Sequence, residues 1–111
     1  MITRGIPVFT TNTQAFQEIK AYIVERDGRF ENWYTDVTSD IAQSLFVQHR
    51  VNADNDMWIY RECPDNRAAK IIKESLIKLG CEGTISGYDN APTKVYVYYK
   101  CRHTLHGFQS E

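Results

Sequence analysis

The chain has 111 residues, 42% of them hydrophobic and 24% charged, with a formal net charge of −1. This composition predicts one folded domain and argues against a disordered chain or a strongly basic nucleic-acid-binding protein. No apolar run approaches the roughly 20 residues that a membrane span needs. The three cysteines, Cys63, Cys81 and Cys101, are widely spaced, and the N-terminus lacks the apolar segment of a secretory signal. Both features predict a cytoplasmic protein without a disulfide framework.

The first half of the chain predicts two helices separated by a strand. The first helix should end near Asp27-Gly28, because glycine readily adopts the left-handed conformation that stops a helix. Phe30 to Val37 is rich in aromatic and β-branched residues and predicts a strand. Ser39 or Asp40 should then cap a second helix, Ile41 to His49. The apolar residues with helical periodicity in the first helix are Ala15, Phe16, Ile19, Tyr22 and Ile23.

The second half predicts a strand, a helix and a last strand. Met57 to Cys63 is the clearest central strand, and a helix should follow from Asp65 or Asn66 and end at Gly80. A turn-rich loop over residues 83–92 precedes the last strand, Lys94 to Lys100. The order predicts a single α+β domain over residues 1–100, with a small mixed or antiparallel sheet of three to four strands flanked by three helices. Residues 101–111 are expected to form a polar, mobile C-terminal tail.

The run from Trp33 to Leu79 resembles the GIY-YIG nuclease superfamily. In that family a strand carrying Tyr-Ile-Gly leads into a helix with an arginine, and a later helix supplies a metal-binding glutamate. Tyr34-Thr35-Asp36 takes the place of Tyr-Ile-Gly, Leu45 and His49 are in register on the next helix, and Met57 to Tyr60 matches the next central strand. The resemblance implies a GIY-YIG-like fold with a cleft lined by Tyr34, Asp36, Ser44, His49 and Lys73.

The departures from the family pattern fall on the residues that perform the reaction. Asp36 replaces the glycine, Ser44 the arginine and Lys73 the metal-binding glutamate. The first motif, Gly-Ile-Tyr, is missing, and the strand Val95 to Tyr98 is its expected replacement. Phosphodiester cleavage needs a divalent cation held by a carboxylate and a positive group near the developing charge. The resemblance therefore implies a catalytically degenerate member that needs no cofactor.

An active enzyme is the alternative. Asp36, Asp40 and Glu74 are the carboxylates that could hold Mg²⁺ or Mn²⁺ if the metal site had moved. On this interpretation the protein is a divalent-metal-dependent endonuclease with relocated carboxylates.

The last strand and its flanks combine aromatic and positively charged residues. This composition is typical of a surface that stacks single-stranded nucleic acid. A half-buried strand whose tyrosines pack on a helix explains the same pattern and is favoured. The candidate nucleic-acid-binding residues are Tyr96, Tyr98, Lys94, Lys100 and Arg102.

The tail contains a Cys-x-His-x-x-His cluster, formed by Cys101, His103 and His106, that could bind zinc with Cys63 as a fourth ligand. The spacing differs from the paired knuckles of common structural zinc sites, so a polar tail with solvent-exposed histidines is favoured. The acidic loop Asn52 to Asp56 lacks the glycine and distal glutamate of an EF-hand and is expected to be a solvated loop.

These observations predict a non-catalytic binding module. Its expected partner is a nucleic acid or a protein, held in the cleft inherited from the GIY-YIG fold. A plain interaction domain with no nucleic-acid role is a third possibility, which the near-neutral charge supports.

Overall fold

The computed structural model describes residues 12–83 and 92–105, which form two α-helices, a π-helix and four strands. This arrangement confirms the predicted α+β class and the mixed sheet. A short 3₁₀ turn, Phe30–Asn32, precedes the first strand. The elements are α1 (Asn12–Arg26), β1 (Trp33–Thr38), the π-helix (Ala42–Gln48), β2 (Trp58–Glu62), α2 (Asn66–Leu79), β3 (Glu82–Gly83) and β4 (Lys94–Tyr99).

The last strand lies in the middle of the sheet. The strand order is β2-β4-β1-β3, so that β4 pairs antiparallel with both β1 and β2. Tyr98 faces Tyr34 on one side and Trp58 on the other. The two-residue strand β3 pairs parallel with β1, at Tyr34 and Thr35 alone. The sheet is therefore mixed, and β1 has no described strand beside its second half on the β3 side.

Helices α1 and α2 pack on one face of the sheet and form the larger core with it. The alternation of strand residues sends Trp33, Ile59 and Val97 to this face. The ring of Trp33 makes edge-to-face contacts with Tyr22 and Tyr99. The buried members of this helix-side core include Ala15, Ile19, Tyr22, Ile23, Trp33, Val37, Ile59, Cys63, Ala69, Ile72, Leu76, Val95 and Val97.

The opposite face of the sheet carries a second, aromatic core, which we call the tyrosine layer. Its strand residues alternate with those of the helix-side core, and the π-helix covers them with Leu45. Ile41 and Phe46 pack against its edge. Both faces of β4 are thus buried, which explains why the strand is apolar or aromatic at every position from Val95 to Tyr98. The tyrosine layer consists of Tyr34, Leu45, Val51, Trp58, Tyr60, Tyr96 and Tyr98.

Local signals in the sequence account for the ends of the α-helices. The Asp65 side chain accepts a hydrogen bond from the Ala68 amide at 2.8 Å and caps α2, as predicted. Gly80 ends α2 with a φ of 128°, and Gly28 follows α1 with a φ of 81°. Both angles lie in the left-handed region, where glycine avoids the strain that a side chain would cause.

The second helix differs from the predicted one in its hydrogen bonding. It is a π-helix, because the His49 amide donates to the Ser44 carbonyl, five residues earlier, at 3.0 Å. Arg50 then adopts a left-handed conformation with a φ of 61°, and the Val51 amide donates to the Leu45 carbonyl at 2.9 Å. This turn ends the helix in the manner of a C-terminal cap, although the residue is not glycine.

Three further expectations can be compared with the structure. The strand predicted at Phe30 starts at Trp33, because Phe30–Asn32 forms the 3₁₀ turn, and β3 was not expected. Most of the loop predicted over residues 83–92 lies outside the described residues. Within the predicted tail, residues 101–105 pack on the domain and Thr104 is buried. In the described part of the chain, no helix is long and apolar enough to cross a membrane.

Candidate functional site

Two of the predicted cleft residues, Tyr34 and His49, meet inside the tyrosine layer. Their ring centroids are 5.0 Å apart. Each side chain is only 1% exposed. Tyr34 is held by its place in β1, and His49 by the end of the π-helix. The two side chains that the resemblance assigns to a cleft are therefore packed in a core that solvent and substrate do not reach.

His49 is the centre of a buried hydrogen-bond network. Its Nε2 atom lies 2.8 Å from the Tyr96 hydroxyl, and its Nδ1 atom lies 2.9 Å from the Tyr98 hydroxyl and 2.5 Å from the Leu105 carbonyl. The Tyr98 hydroxyl also donates to the Leu105 carbonyl at 3.0 Å. A neutral imidazole fits these contacts, with Nδ1–H donating to Leu105 and Nε2 accepting from Tyr96. Burial raises the pKa of Tyr98, so this hydroxyl stays protonated and remains a donor.

The same network fixes the start of the C-terminal segment. The Leu105 amide donates to the His49 carbonyl at 2.8 Å, in addition to the bonds that its own carbonyl accepts. His49 therefore ties the segment after β4 to the end of the π-helix. This is a structural role, and it explains a buried histidine without any catalytic function.

Asp36 and Lys73 form the second group from the predicted cleft. The Lys73 Nζ atom lies 4.0 Å from Asp36 Oδ1, and the two side chains are 1% and 17% exposed. Strand β3 pairs with β1 only at Tyr34 and Thr35, so Asp36 lies just beyond the paired part of β1. The long side chain of Lys73 on α2 can therefore reach Asp36. Burial lowers the pKa of Lys73, and the negative charge of Asp36 opposes that shift without cancelling it. Lys73 is the residue to which the resemblance assigns the role of the metal-binding glutamate, and its side chain is a buried amine beside Asp36.

Ser44 and Asp40 stabilise the beginning of the π-helix. The Ser44 and Thr38 hydroxyl oxygens are 2.6 Å apart, and the Asp40 amide donates to the Thr38 hydroxyl at 3.0 Å. The Asp40 carboxylate accepts from the Gln43 amide at 3.1 Å. The bond from the Gln43 amide to Asp40 is that of a helix cap, so Asp40 has a structural role at the start of the helix.

The carboxylates of the alternative nuclease site are not brought together. Asp36 faces Lys73 and Asp40 caps the π-helix, whereas Glu74 is exposed on α2. Over residues 12–83 and 92–105, the one group of three acidic, histidine or cysteine side chains with metal-binding proximity lies elsewhere, at Asp56, Cys101 and His103.

The tyrosines of the predicted stacking surface are buried. Tyr96 is 2% exposed and Tyr98 is fully buried, both beneath the π-helix in the tyrosine layer. Base stacking needs an accessible ring face, and neither ring offers one. Because the π-helix covers this face of the sheet, Tyr96 and Tyr98 are core residues and not the accessible nucleic-acid-binding residues that were predicted. The hydroxyls of both tyrosines are bonded to His49.

The cations near β4 lie on the surface next to carboxylates. Lys94 Nζ is 3.1 Å from Glu62 Oε1, and Lys100 Nζ is 2.7 Å from Glu82 Oε1. The first pair joins β4 to its neighbour β2, and the second joins the end of β4 to β3, beyond β1. Both pairs reduce the positive charge that these lysines offer a phosphate backbone. Arg102 is exposed.

The structure gives Cys101 and His103 a different neighbour from those of the zinc cluster that the sequence offered as the less favoured interpretation. Cys101 and His103 are close to each other, but the third residue beside them is Asp56, from the loop before β2. Cys63 lies in the helix-side core and is not part of the group, and His106 lies outside the described residues. Sequence reasoning did not include Asp56 in this group. The only feature of the sequence that pointed to it was its place in the acidic loop Asn52 to Asp56.

A surface groove follows α2, and one of its two parts lies between α2 and α1. One part, of about 280 Å³, is lined by Asn66, Arg67, Lys70, Ile71 and Glu74. The adjoining part, of about 180 Å³, shares Ile71 and is lined also by Thr13, Phe16, Ile72 and Ser75. We call the two parts together the α1–α2 groove.

Comparisons of the chain with protein-family models, with curated proteins and with solved structures found no match.

Proposed function

We propose that this protein is a non-catalytic binding module, a degenerate relative of the GIY-YIG nucleases, and that its partner is a protein. The observation that carries the proposal is the Lys73–Asp36 contact. A buried ammonium group at Lys73 supports the loss of catalysis, because the resemblance to the nucleases would put a metal-binding carboxylate at this residue. The order of strand, helix, strand and helix from β1 to α2 supports the relationship to the family.

The burial of the residues predicted to line the cleft argues against catalysis at that position. A phosphodiester and its attacking water must reach the groups that act on them. Tyr34, His49 and Lys73 are each 1% exposed, so their reactive atoms are closed off by packing. A partner therefore has to bind at another surface.

The α1–α2 groove has the chemistry of a protein-docking surface. Ile71, in its centre, is 47% exposed, and the ring of Phe16 lies beside it, partly buried. Arg67 and Lys70 line the same groove, and the Lys20 ammonium lies 5.9 Å from the centre of the Phe16 ring. An apolar centre with a mostly cationic border fits an amphipathic helix that presents apolar side chains between carboxylates.

A designed peptide can test this surface. The probe is a helical peptide of about 15 residues with leucines at helical spacing and glutamates between them, and the control peptide has lysines in place of the glutamates. In two-dimensional amide NMR spectra, we expect the acidic peptide alone to shift the signals around Phe16 and Ile71. Ile71→Glu should abolish these shifts. Val47→Glu is the matched control, because Val47 is 60% exposed on the π-helix and lies outside the groove.

Equal shifts with both peptides, or shifts around Val47, would contradict the proposed surface. A mixed-sequence single-stranded DNA or RNA oligonucleotide serves in a parallel titration. Salt-dependent shifts of Lys94, Lys100 and Arg102 would assign the binding function to nucleic acid instead.

A nuclease assay with Mg²⁺ or Mn²⁺ tests the non-catalytic part of the proposal. We expect no cleavage of DNA or RNA above background. Cleavage that disappears in Asp36→Ala would show that the chain is an enzyme and would overturn the proposal.

A further inference from the structure

We propose that Asp56, Cys101 and His103 form a zinc-binding site, independent of the α1–α2 groove. The site joins the loop between the π-helix and β2 to the segment that follows β4. These two parts of the chain are 45 residues apart at the contact between Asp56 and Cys101.

The three side chains already have the proximity that a metal ion requires. His103 Nε2 is 2.6 Å from Asp56 Oδ2, and Cys101 Sγ is 3.9 Å from Asp56 Oδ1. All the candidate ligand atoms lie within 4.8 Å of one another. Tetrahedral zinc with ordinary bond lengths separates its ligand atoms by about 3.4–3.6 Å. The imidazole therefore has to move away from the carboxylate by under about 1 Å, and a side chain that is 53% exposed has room to do so.

Hydrogen bonds hold two of the ligands in place. Asp56 is 8% exposed, and its Oδ2 atom accepts a hydrogen bond from the Asn52 amide at 2.7 Å. The buried Thr104 hydroxyl accepts from the Cys101 amide and donates to the Cys101 carbonyl, each at 2.9 Å. Contacts of this kind around the ligands fix their orientation and strengthen metal binding.

The donor atoms favour zinc over the hard divalent cations. A thiolate, an imidazole and a carboxylate are the three ligand types that zinc accepts, whereas Mg²⁺ and Ca²⁺ prefer oxygen alone. The thiol of Cys101 would bind as thiolate and release its proton to solvent. The thiolate and the Asp56 carboxylate then balance the two positive charges of the ion. Three protein ligands leave a fourth position for water or another donor.

Zinc titration of the full chain under reducing conditions tests the proposal. We expect one ion per chain in calorimetry, and a rise in melting temperature of about 10–15 °C at a free zinc concentration of one hundred times Kd. Co²⁺ in place of zinc should give a thiolate charge-transfer band in the absorption spectrum. Mg²⁺ should produce neither effect.

The variants are chosen so that they leave the fold intact. His103→Ala changes an exposed side chain, and Asp56→Asn keeps an oxygen that can accept from the Asn52 amide. Since loss of an outer contact already weakens metal sites by roughly 10–100-fold, loss of a ligand should weaken zinc binding by at least about 100-fold. Cys63→Ala is the control; it keeps the buried position apolar and should leave zinc affinity unchanged.

Two results would overturn the site. Wild-type affinity in both Asp56→Asn and His103→Ala would show that zinc, if it binds, uses other residues. Loss of binding in His106→Ala together with unchanged binding in Asp56→Asn would return the metal to a Cys-His-His cluster within the tail.

Discussion

The contact between Lys73 and Asp36 predicts the direction in which two mutations change the free energy of unfolding. Lys73→Met keeps the length of the buried side chain and removes its charge. The lowered pKa of Lys73 means that burial disfavours the ammonium group more than the attraction of Asp36 favours it. Removing the charge should therefore leave the free energy of unfolding unchanged at pH 7 or raise it by up to about 1 kcal/mol.

Asp36 does not lose its other stabilising contacts in this variant. Its side chain is 17% exposed, and Oδ1 accepts a hydrogen bond from the Val37 amide at 2.8 Å. The second mutation, Asp36→Asn, removes the other charge of the pair. The negative charge that it removes faces the Lys73 ammonium group, whose side chain is only 1% exposed. Loss of one partner from a buried pair typically lowers stability by about 3–5 kcal/mol, and the remaining amide oxygen of asparagine reduces the expected loss to about 2–3 kcal/mol. In the double variant this loss should disappear.

Urea unfolding followed by tryptophan fluorescence measures these differences, because Trp33 and Trp58 are both buried. A loss of 2–3 kcal/mol should lower the midpoint of unfolding by roughly 1–2 M urea. The pH dependence provides a second measurement. Between the lowered folded-state pKa of Lys73 and its ordinary value of 10.5, the unfolded chain binds more protons, so the wild type gains stability as the pH rises.

The stability difference between Lys73→Met and the wild type should therefore narrow as the pH approaches 10.5. A loss of about 3 kcal/mol in Lys73→Met, together with a neutral Asp36→Asn, would refute the reasoning. It would show that attraction, and not desolvation, dominates at this contact.

Three smaller predictions concern the backbone, and denaturant unfolding of each variant measures them. Asp65→Ala should lower the free energy of unfolding by about 1 kcal/mol because it removes the cap of α2, whereas Asp65→Asn should be nearly neutral. Equal losses in the two variants would mean that the side chain does not cap the helix. Gly83→Ala should lower the free energy of unfolding by at least about 2 kcal/mol, since a Cβ atom there would lie 2.6 Å from the Thr35 carbonyl oxygen. An unchanged stability would show that β3 can move away from β1. Arg50→Gly should raise the free energy of unfolding by about 0.5–1 kcal/mol, because glycine adopts the left-handed conformation without strain. A lower stability would show that the arginine side chain stabilises the turn.

The elements that the sequence predicts well are those with strong local signals. Helix α2 has a capping aspartate, a regular apolar stripe and a terminal glycine, and it begins and ends where these residues indicate. The two-residue strand β3 has no such signal, because its pairing with β1 is a tertiary contact. The π-helix also escapes prediction, since the spacing of Leu45 and His49 suits an ordinary helix equally well.

The candidate sites were harder to predict because their members are distant in the sequence. Alternation in β4 indicates two faces, but it does not reveal that the π-helix covers the tyrosines of one face. The spacing of Cys101 and His103 alone favours a polar tail over a metal site. Asp56 can be added only when the fold brings its loop to the end of β4.

The central position of β4 has a consequence for the order of folding. Strands β1 and β2 are not hydrogen-bonded to each other, and each pairs along its length with β4. During synthesis on the ribosome, both strands emerge long before the partner that they share. A main sheet of this topology cannot form until the chain has been made to about Tyr99, so the nascent chain exposes unpaired aromatic strands until then. Truncation before Lys94 should therefore leave a chain that aggregates or depends on chaperones.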